Sequence, residues 1–295
     1  MSTNRLFKYV SPEAVIRILE DQAFKFSSPF AFNDPFDMQL DDIFGYNENE
    51  FEVDFVVTFA KKLLNNEIDK NSDILLPGLV ELLKRLPKEE MEGILNNMQC
   101  KSNPIWGTDT VEKFRIKYIS MIQPLINSYG IFCGSLKHNN IVMWTHYSKN
   151  HEGAVLEITP NYENNSKFLI SKPVLYSDTR SALIKSPEDF FNMISKSDNE
   201  KAKYFLDAFT FSKGKSWEYE EEIRLAIPNI VPEGSTCAFL KFYPNELTRI
   251  YLGCRISDEN QNKIIRLANI LNPFIKIYKA QRHKNSYILD FLEFK

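Results

Sequence analysis

Trp217-Glu218-Tyr219-Glu220-Glu221-Glu222-Ile223-Arg224 runs without a break into the apolar Leu225-Ala226-Ile227. Read as a strand from Tyr219, its period of two sets Tyr219, Glu221, Ile223 and Leu225 on one face and Glu220, Glu222, Arg224 and Ala226 on the other. Two carboxylates and a guanidinium then share one side of a strand. An acidic run is ordinarily a solvated surface, because Asp and Glu are mostly exposed. Here a Trp and a Tyr interleave with the charges, and the residues that follow are apolar enough for burial. Carboxylates that enter a core at a strand end are costly unless paired, and so tend to mark sites. The reading expects Glu220, Glu222 and Arg224 to point into a cleft, with Glu218 and Glu221 dispensable.

Upstream, Leu6-Phe7-Lys8-Tyr9-Val10 reads as a strand and Ser11-Pro12-Glu13 as a helix start, with Ser as the cap and Pro at the first helical position. Ala23 to Ser28 is a second strand, broken by Pro29. Phe30-Ala31-Phe32-Asn33-Asp34-Pro35-Phe36-Asp37 follows, and its Asn-Asp-Pro is a turn signal between aromatic anchors. Local hydrogen bonds of a turn account for Asn33 and Asp34, yet Ser27, Ser28, Asn33 and Asp34 also gather polar groups at an apolar strand end.

Residues 45–128 have helical spacing in Phe51, Phe55, Val56, Phe59 and Leu63, again from Leu75 to Leu86, and again in Phe114, Tyr118, Ile122 and Leu125, cut by Pro77, Pro87, Pro104 and Pro124. This is an acidic helical insertion without chemistry of its own. Strand grammar returns with Ile131 to Ser135 and Ala154 to Ile158. Between them lies Met143-Trp144-Thr145-His146-Tyr147-Ser148-Lys149-Asn150-His151-Glu152-Gly153. A five-residue offset between its two histidines and the lack of a third ligand speak against a metal. Trp144, His146 and Tyr147 offer instead an aromatic wall with hydrogen-bonding groups for a ring-bearing ligand.

Pro173 to Tyr176, Ala238 to Phe242, Arg249 to Gly253, Ile275 to Tyr278 and Tyr287 to Phe291 are further strands, and Pro187–Ser195, Glu200–Phe211 and Ser257–Leu271 are helices. About nine strands with helices in the insertion and at the flanks make an α+β plan of mixed, mostly antiparallel sheets around a central cleft, in one domain spanning 1–295. No GxGxxG and no Walker loop is present.

The chain of 295 residues is 43% hydrophobic, enough for a sizeable core, and holds 23 Phe and 13 Tyr. Neither a signal-length apolar run nor a membrane span is visible, which predicts a soluble, cytoplasmic protein that uses no membrane. Cys100, Cys133, Cys237 and Cys254 form no CxxC pair, and Cys133 and Cys254 read as buried small hydrophobes. The net charge of −3 hides an asymmetry: residues 36–104 hold 14 acidic and 7 basic side chains, and 241–284 hold 9 basic and 3 acidic. The basic region is permissive for an anionic partner.

Phe7-Lys8-Tyr9, Phe26-Ser27-Ser28-Pro29 with Phe32-Asn33-Asp34-Pro35-Phe36, Trp144-x-His146-Tyr147 with His151-x-Gly153, and Trp217-x-Tyr219-Glu220-x-Glu222-x-Arg224 together resemble the DUF2971 family of proteins of unknown function. More loosely, a strand and capped helix, a second strand ending in serines and a late Glu-x-Glu are similar to the plan of ADP-ribosyltransferases, including their DNA-modifying toxin branch. That likeness implies an ADP-ribosyltransferase-like fold, NAD as substrate, and a nucleic-acid or protein acceptor, in a toxin or phage-defence setting. By position it implies that Lys8 or Tyr9 holds NAD, Ser27 or Ser28 supports the nicotinamide side, and Glu220 and Glu222 stabilise the reacting sugar. Lys8 or Tyr9 stands where such enzymes commonly carry His or Arg.

On this reading Glu220, Glu222 and His146 are catalytic candidates, no resident metal is expected, and Arg224 either pairs with a diphosphate or keeps the carboxylates ionised. Trp144, Tyr147, Trp217 and Tyr219 would line one cleft with the two glutamates. Two other readings stay open: a metal-dependent nuclease or hydrolase using Glu220, Glu222, Asp34 and His146, and a nucleotide-binding module without turnover.

Overall fold

The computed structural model describes residues 5–38, 109–179, 184–194 and 196–294, with isolated positions between 45 and 93 and at 182. In chain order the elements are β1 (Leu6–Val10), α1 (Pro12–Asp21), β2 (Ala23–Ser27), α2 (Asp109–Asn127), β3 (Gly130–Ser135), α3 (Ile141–Tyr147), β4 (Ala154–Ile158), β5 (Lys172–Pro173), β6 (Leu175–Ser177), α4 (Pro187–Ile194), α5 (Asp198–Phe209), β7 (Ser212–Gly214), β8 (Glu222–Ile227), β9 (Cys237–Lys241), β10 (Leu247–Leu252), α6 (Asp258–Leu271), β11 (Lys276–Arg282) and β12 (Leu289–Glu293). The fold is mixed α+β with a mostly antiparallel sheet. Most of the expected insertion, including Phe51, Val56, Phe59, Leu63, the Leu75–Leu86 repeat and Cys100, lies outside the described residues. Pro124, expected to end a helix, sits inside α2. Among the described residues no helix is long and apolar enough to cross a membrane.

The chain forms two compact units. The smaller comprises residues 40–124 and 181–205; within it Phe55 stacks on Phe191 at 5.2 Å and meets Phe190 edge-on, while Lys62 pairs with Glu188 at 2.7 Å. The larger, residues 1–39, 125–180 and 206–295, holds the main sheet, in the order β12-β11-β10-β4-β1-β3-β2-β9, with β8 paired to β3 and β5 to β8. Among the described residues, β10 and β11 are the one parallel pair in it. The sheet forks at β3: one edge runs the full length of β8, and the other meets β1 at Ser135 and β2 at Ile131.

Side-chain alternation assigns the two faces. One carries Leu6, Val10, Phe24, Phe26, Phe132, Leu156, Ile158, Ile223, Leu225, Ile250, Leu252 and Ile277, covered by Val15, Ile18 and Leu19 of α1 and by Ile264 and Ala268 of α6. Both helices are capped by serine: Ser11 accepts from the N–H of Ala14, and Ser257 from that of Asn260. The other face is polar and aromatic. Cross-strand partners share a face, so Phe7, Ser135 and Glu222 lie on it together, as do Cys133 and Arg224, and Tyr9, Val155 and Tyr251. On this face α3 places Met143 and Trp144 among Phe7, Tyr9, Val155, Tyr251, Ala280 and Leu289.

One local expectation changes. The stretch from Trp217 is not strand throughout: Lys215–Glu220 is a 3-10 helix, Glu221 is left-handed (φ 41°), and the strand begins at Glu222. Its ladder partner ends at Ser135, opposite Glu222, so the preceding residues have no strand to pair with and are held by other bonds. Ser135 Oγ donates to the Glu220 carbonyl at 2.7 Å, the Leu136 N–H to that of Glu221 at 2.9 Å, and the Asn140 amide to that of Tyr219. The segment after Asn140, between the two expected strands, forms α3 because the Asn140 side chain caps it, accepting from the Met143 N–H at 3.1 Å.

Candidate functional site

Glu222 and Arg224 of β8 and Cys133 and Ser135 of β3 form the floor of a buried polar cluster on the aromatic face. Arg224 is fully buried. Its Nε and Nη2 donate to the two oxygens of Glu222 at 2.8 and 2.9 Å, Nη1 and Nη2 to the two oxygens of Asp37, and Nη1 also to the Thr210 carbonyl at 2.9 Å. All five guanidinium N–H groups are therefore engaged, and the cation lies 5.2 Å over the Phe32 ring. It has no donor left for a diphosphate; in this arrangement Arg224 keeps Glu222 ionised, whereas burial outweighs its pull on Asp37 and pushes that carboxyl up. Burial pushes the Glu222 carboxyl up, but Arg224 and Lys213 more than offset this and hold it at about 2.

Glu220 reaches the cluster from the end of the 3-10 turn. The left-handed Glu221 reverses the backbone between the two acids, leaving Glu221 exposed, 3.8 Å from Lys137, and both neighbours buried. Lys213 Nζ donates to Glu220 at 2.6 Å and to Glu222 at 3.1 Å. Burial lowers the affinity of this amine for its proton, and the two carboxylates more than restore it. Tyr147 donates to the other oxygen of Glu220 at 2.6 Å; burial and the carboxylate raise its pKa, so the phenol stays protonated. Tyr176, in register with Lys213 across β6 and β7, accepts from the Glu222 N–H at 2.7 Å.

Aromatic rings border Glu220. Lys213 Nζ lies 4.8 Å over the half-buried Trp217 ring, Trp217 and Tyr219 are 6.1 Å apart, and the exposed His146 sits 6.4 Å from Tyr147 and 6.5 Å from Tyr219. Glu220, Glu222, Arg224, Tyr147, Trp217, Tyr219 and His146 are thus brought together. Trp144 lies on the same face but is buried completely, its indole N–H given to the His138 carbonyl at 2.8 Å, so it anchors α3 and lines no opening. His151 stacks parallel on Trp144 at 6.0 Å. The turn before it places Lys149, Asn150 and His151 at positive φ, and a Cβ at Gly153 would stand 2.0 Å from the Val10 carbonyl oxygen, which accounts for the His-x-Gly pattern.

The remaining sequence candidates stay apart from the cluster. Lys8 pairs across with Leu156 on the opposite, apolar face, where its Nζ donates to the Cys133 carbonyl and lies 4.9 Å over Phe132. Tyr9 shares the site face, but its hydroxyl donates to the Lys137 carbonyl at 3.0 Å and accepts from the Asn140 N–H at 3.2 Å, fixing the turn into α3. Ser27 is on β2, opposite Ile131, and the buried Ser28 gives its N–H to the Thr236 carbonyl. Asn33 is exposed, and Asp34 Oδ1 accepts from the Phe36 N–H at 2.9 Å, the local turn bond that the Asn-Asp-Pro sequence implies. Among the described residues no three His, Cys, Asp or Glu side chains are placed to hold a metal ion. Cys133 and Cys254 are half-buried, and burial pushes the Cys133 thiol up.

Sequence reasoning missed Lys213, Asp37, Tyr176 and Asn140. Lys213 and Tyr176 sit in strands of three residues, too short for a periodic signal, and Asp37 follows the turn in an irregular loop. The only advance sign of Asp37 was a second acid beyond Asn-Asp-Pro.

The fold and cluster define an α+β protein whose irregular segments converge on a buried carboxylate pair. Residues 143–225 match the family model described as protein of unknown function (DUF2971), the family that the sequence motifs resemble. That span runs from the middle of α3 into β8, and so contains Tyr147, Tyr176, Lys213, Trp217, Tyr219, Glu220, Glu222 and Arg224 but not Asp37. No curated protein and no solved structure matches the chain.

Proposed function

We propose that the cluster is the reaction centre of an NAD-consuming, ADP-ribosyltransferase-like enzyme that modifies a macromolecule, with Glu220 as the reacting carboxylate. The observation that carries the reading is the asymmetry between the two acids. Glu222 is locked by a two-point contact to Arg224, whereas Glu220 is held by one lysine and one phenol beside the rings of Trp217, Tyr219 and His146.

In this reading the bond between ribose C1′ and the nicotinamide nitrogen breaks, its electron pair leaves with the now neutral nicotinamide, and positive charge develops on the ribose. Glu220, fixed in advance, stabilises that charge. A lone pair on the acceptor then forms the new bond to C1′, and the acceptor's proton passes to Glu220. Lys213 and Tyr147 orient the carboxylate, and Glu222, Arg224 and Asp37 hold Lys213 and the strand end in place. Lys8, facing the other side of the sheet, takes no part.

The test is nicotinamide release from NAD in the presence of nucleic-acid and protein mixtures. Wild type releases nicotinamide, and Glu220→Gln loses about 10²- to 10⁴-fold in kcat with little change in KM. The reading fails if no acceptor supports release and NAD leaves the melting temperature unmoved.

A second reading, a ring-recognising nucleotide-binding module without turnover, is favoured by the pairing of both Glu220 oxygens and all five Arg224 donors within the protein. NAD or a related nucleotide would then raise the melting temperature while no product forms over hours.

A further inference from the structure

The β11–β12 hairpin belongs to the same sheet but takes no part in the Glu220 cluster. Arg282, the last residue of β11, pairs with Leu289, and the His283 N–H closes the loop on the Ile288 carbonyl at 3.1 Å. Residues 281–288 are all exposed and read Gln-Arg-His-Lys-Asn-Ser-Tyr-Ile, with two cations flanking a histidine and no acid. Tyr287 is 98% exposed. His283 shapes the loop, its Nδ1 accepting from the Asn285 N–H at 3.1 Å. Arg282 and Lys284 engage no carboxylate among the described residues.

The parallel register Leu252–Lys279 brings β10 and β11 out at one end of the sheet, and the exposed Arg255 and Arg282 each follow three residues on. The whole stretch 241–284 carries 9 basic against 3 acidic residues. Cations without carboxylate partners attract a polyanion. An acidic peptide would satisfy them as well, but it has no use for a tyrosine ring presented almost bare at the loop. Nucleobases stack on such a ring, and they present their faces only when unpaired.

We propose that this hairpin binds single-stranded nucleic acid, with Arg282, Lys284 and Arg255 on phosphates and Tyr287 under a base. Arg282 lies opposite Leu289, which packs in the aromatic-face cluster with Trp144 of α3, the helix that supplies Tyr147. The strand therefore docks on the face that carries Glu220. Its role as acceptor rests on the NAD-consuming reading, whereas the binding itself does not and is measured without NAD.

The experiment is fluorescence anisotropy of the full chain with labelled 20-nucleotide single-stranded DNA and RNA, a duplex of the same sequence and a poly-glutamate peptide, over a salt series. The single strands bind, and log K falls with log salt at a slope of about −0.7 per phosphate contact. Arg282→Ala with Lys284→Ala reduces the magnitude of the slope by about 1.4. Tyr287→Ala weakens binding about tenfold at an unchanged slope. These side chains are exposed, so the variants keep the wild-type melting temperature. The proposal is overturned if no strand binds at low salt, if the double variant leaves the slope unchanged, or if duplex or poly-glutamate binds as tightly as the single strands. Nicotinamide release, scored separately, reports on Glu220 alone.

Discussion

Two buried glutamates on the same face of the sheet have contrasting environments. Glu157, in β4, is served by the adjacent strand β10, whose register shifts at Thr248: Thr248, Arg249 and Tyr251 all donate to it, and Arg5 lies 3.7 Å away. Its principal cation, Arg249, keeps a side-chain exposure of 26%, and the rings around it, His138, Tyr251 and Tyr278, stack on one another. Glu220 draws its partners from a helix end, a three-residue strand and a 3-10 turn closed by a left-handed residue, and the cation behind its neighbour Glu222 is wholly buried. A carboxylate satisfied by side chains of one strand paired beside it is explained by the fold. One assembled from irregular segments, at a cost in backbone strain, is what a site requires.

The largest effect expected of this contrast is on stability. Arg224→Met takes the buried guanidinium from Asp37 and Glu222, leaving Lys213 beside Glu222, and costs about 3–5 kcal/mol in urea unfolding. Arg249→Met, at a half-exposed position with two hydroxyls still serving Glu157, costs about 1 kcal/mol. Equal losses would erase the distinction between the clusters.

Acid titration sharpens it. The Glu222 carboxyl is held at about 2, below its ordinary 4.5. A depressed folded-state pKa gives stability that is fully present above the unfolded value and is lost as pH falls from about 4.5 towards 2. The loss is on the order of 3 kcal/mol. Glu222→Gln should be less stable at pH 7 and show a flatter acid limb when unfolding is followed between pH 6 and 2. An unchanged limb would mean that Glu222 is not the group held ionised.

Paired hydroxyl deletions come next. Tyr147→Phe and Tyr251→Phe each remove one donor to a buried carboxylate, about 1–2 kcal/mol apiece. Only Tyr147→Phe should lower nicotinamide release. If Tyr251→Phe lowers it as much, the activity does not belong to the Glu220 cluster. The smallest effect is at Glu221, exposed and left-handed. Glu221→Gly relieves a backbone strain of about 1 kcal/mol, so it should be neutral or slightly stabilising by melting temperature.

How much of this was legible depended on regularity. β1 and β4 were readable at their limits because each is a short apolar run broken by a single charge, as a strand buried on both faces requires, and α6 because Ser257 caps an apolar stripe. The convergence of Glu220, Glu222 and Arg224 was expected from a strand that does not exist before Glu222: a turn through Glu221 brings the acids together as period two would have, by a different path. Lys8 went to the apolar face because neighbouring strand residues alternate, so Lys8 and Tyr9 could never serve one site as equals. Lys213 and Asp37 were hidden because nothing local in Ser212-Lys213-Gly214 or in the loop after Pro35 encodes a partner more than a hundred residues away or across a short irregular turn.

The most direct measurement of the central claim is nicotinamide release from NAD by wild type, Glu220→Gln and the exposed control Glu218→Gln, each first shown to melt cooperatively. The account predicts release by wild type and Glu218→Gln at the same rate, and a loss of at least about a hundredfold in Glu220→Gln. Release by Glu220→Gln at the wild-type rate would contradict it.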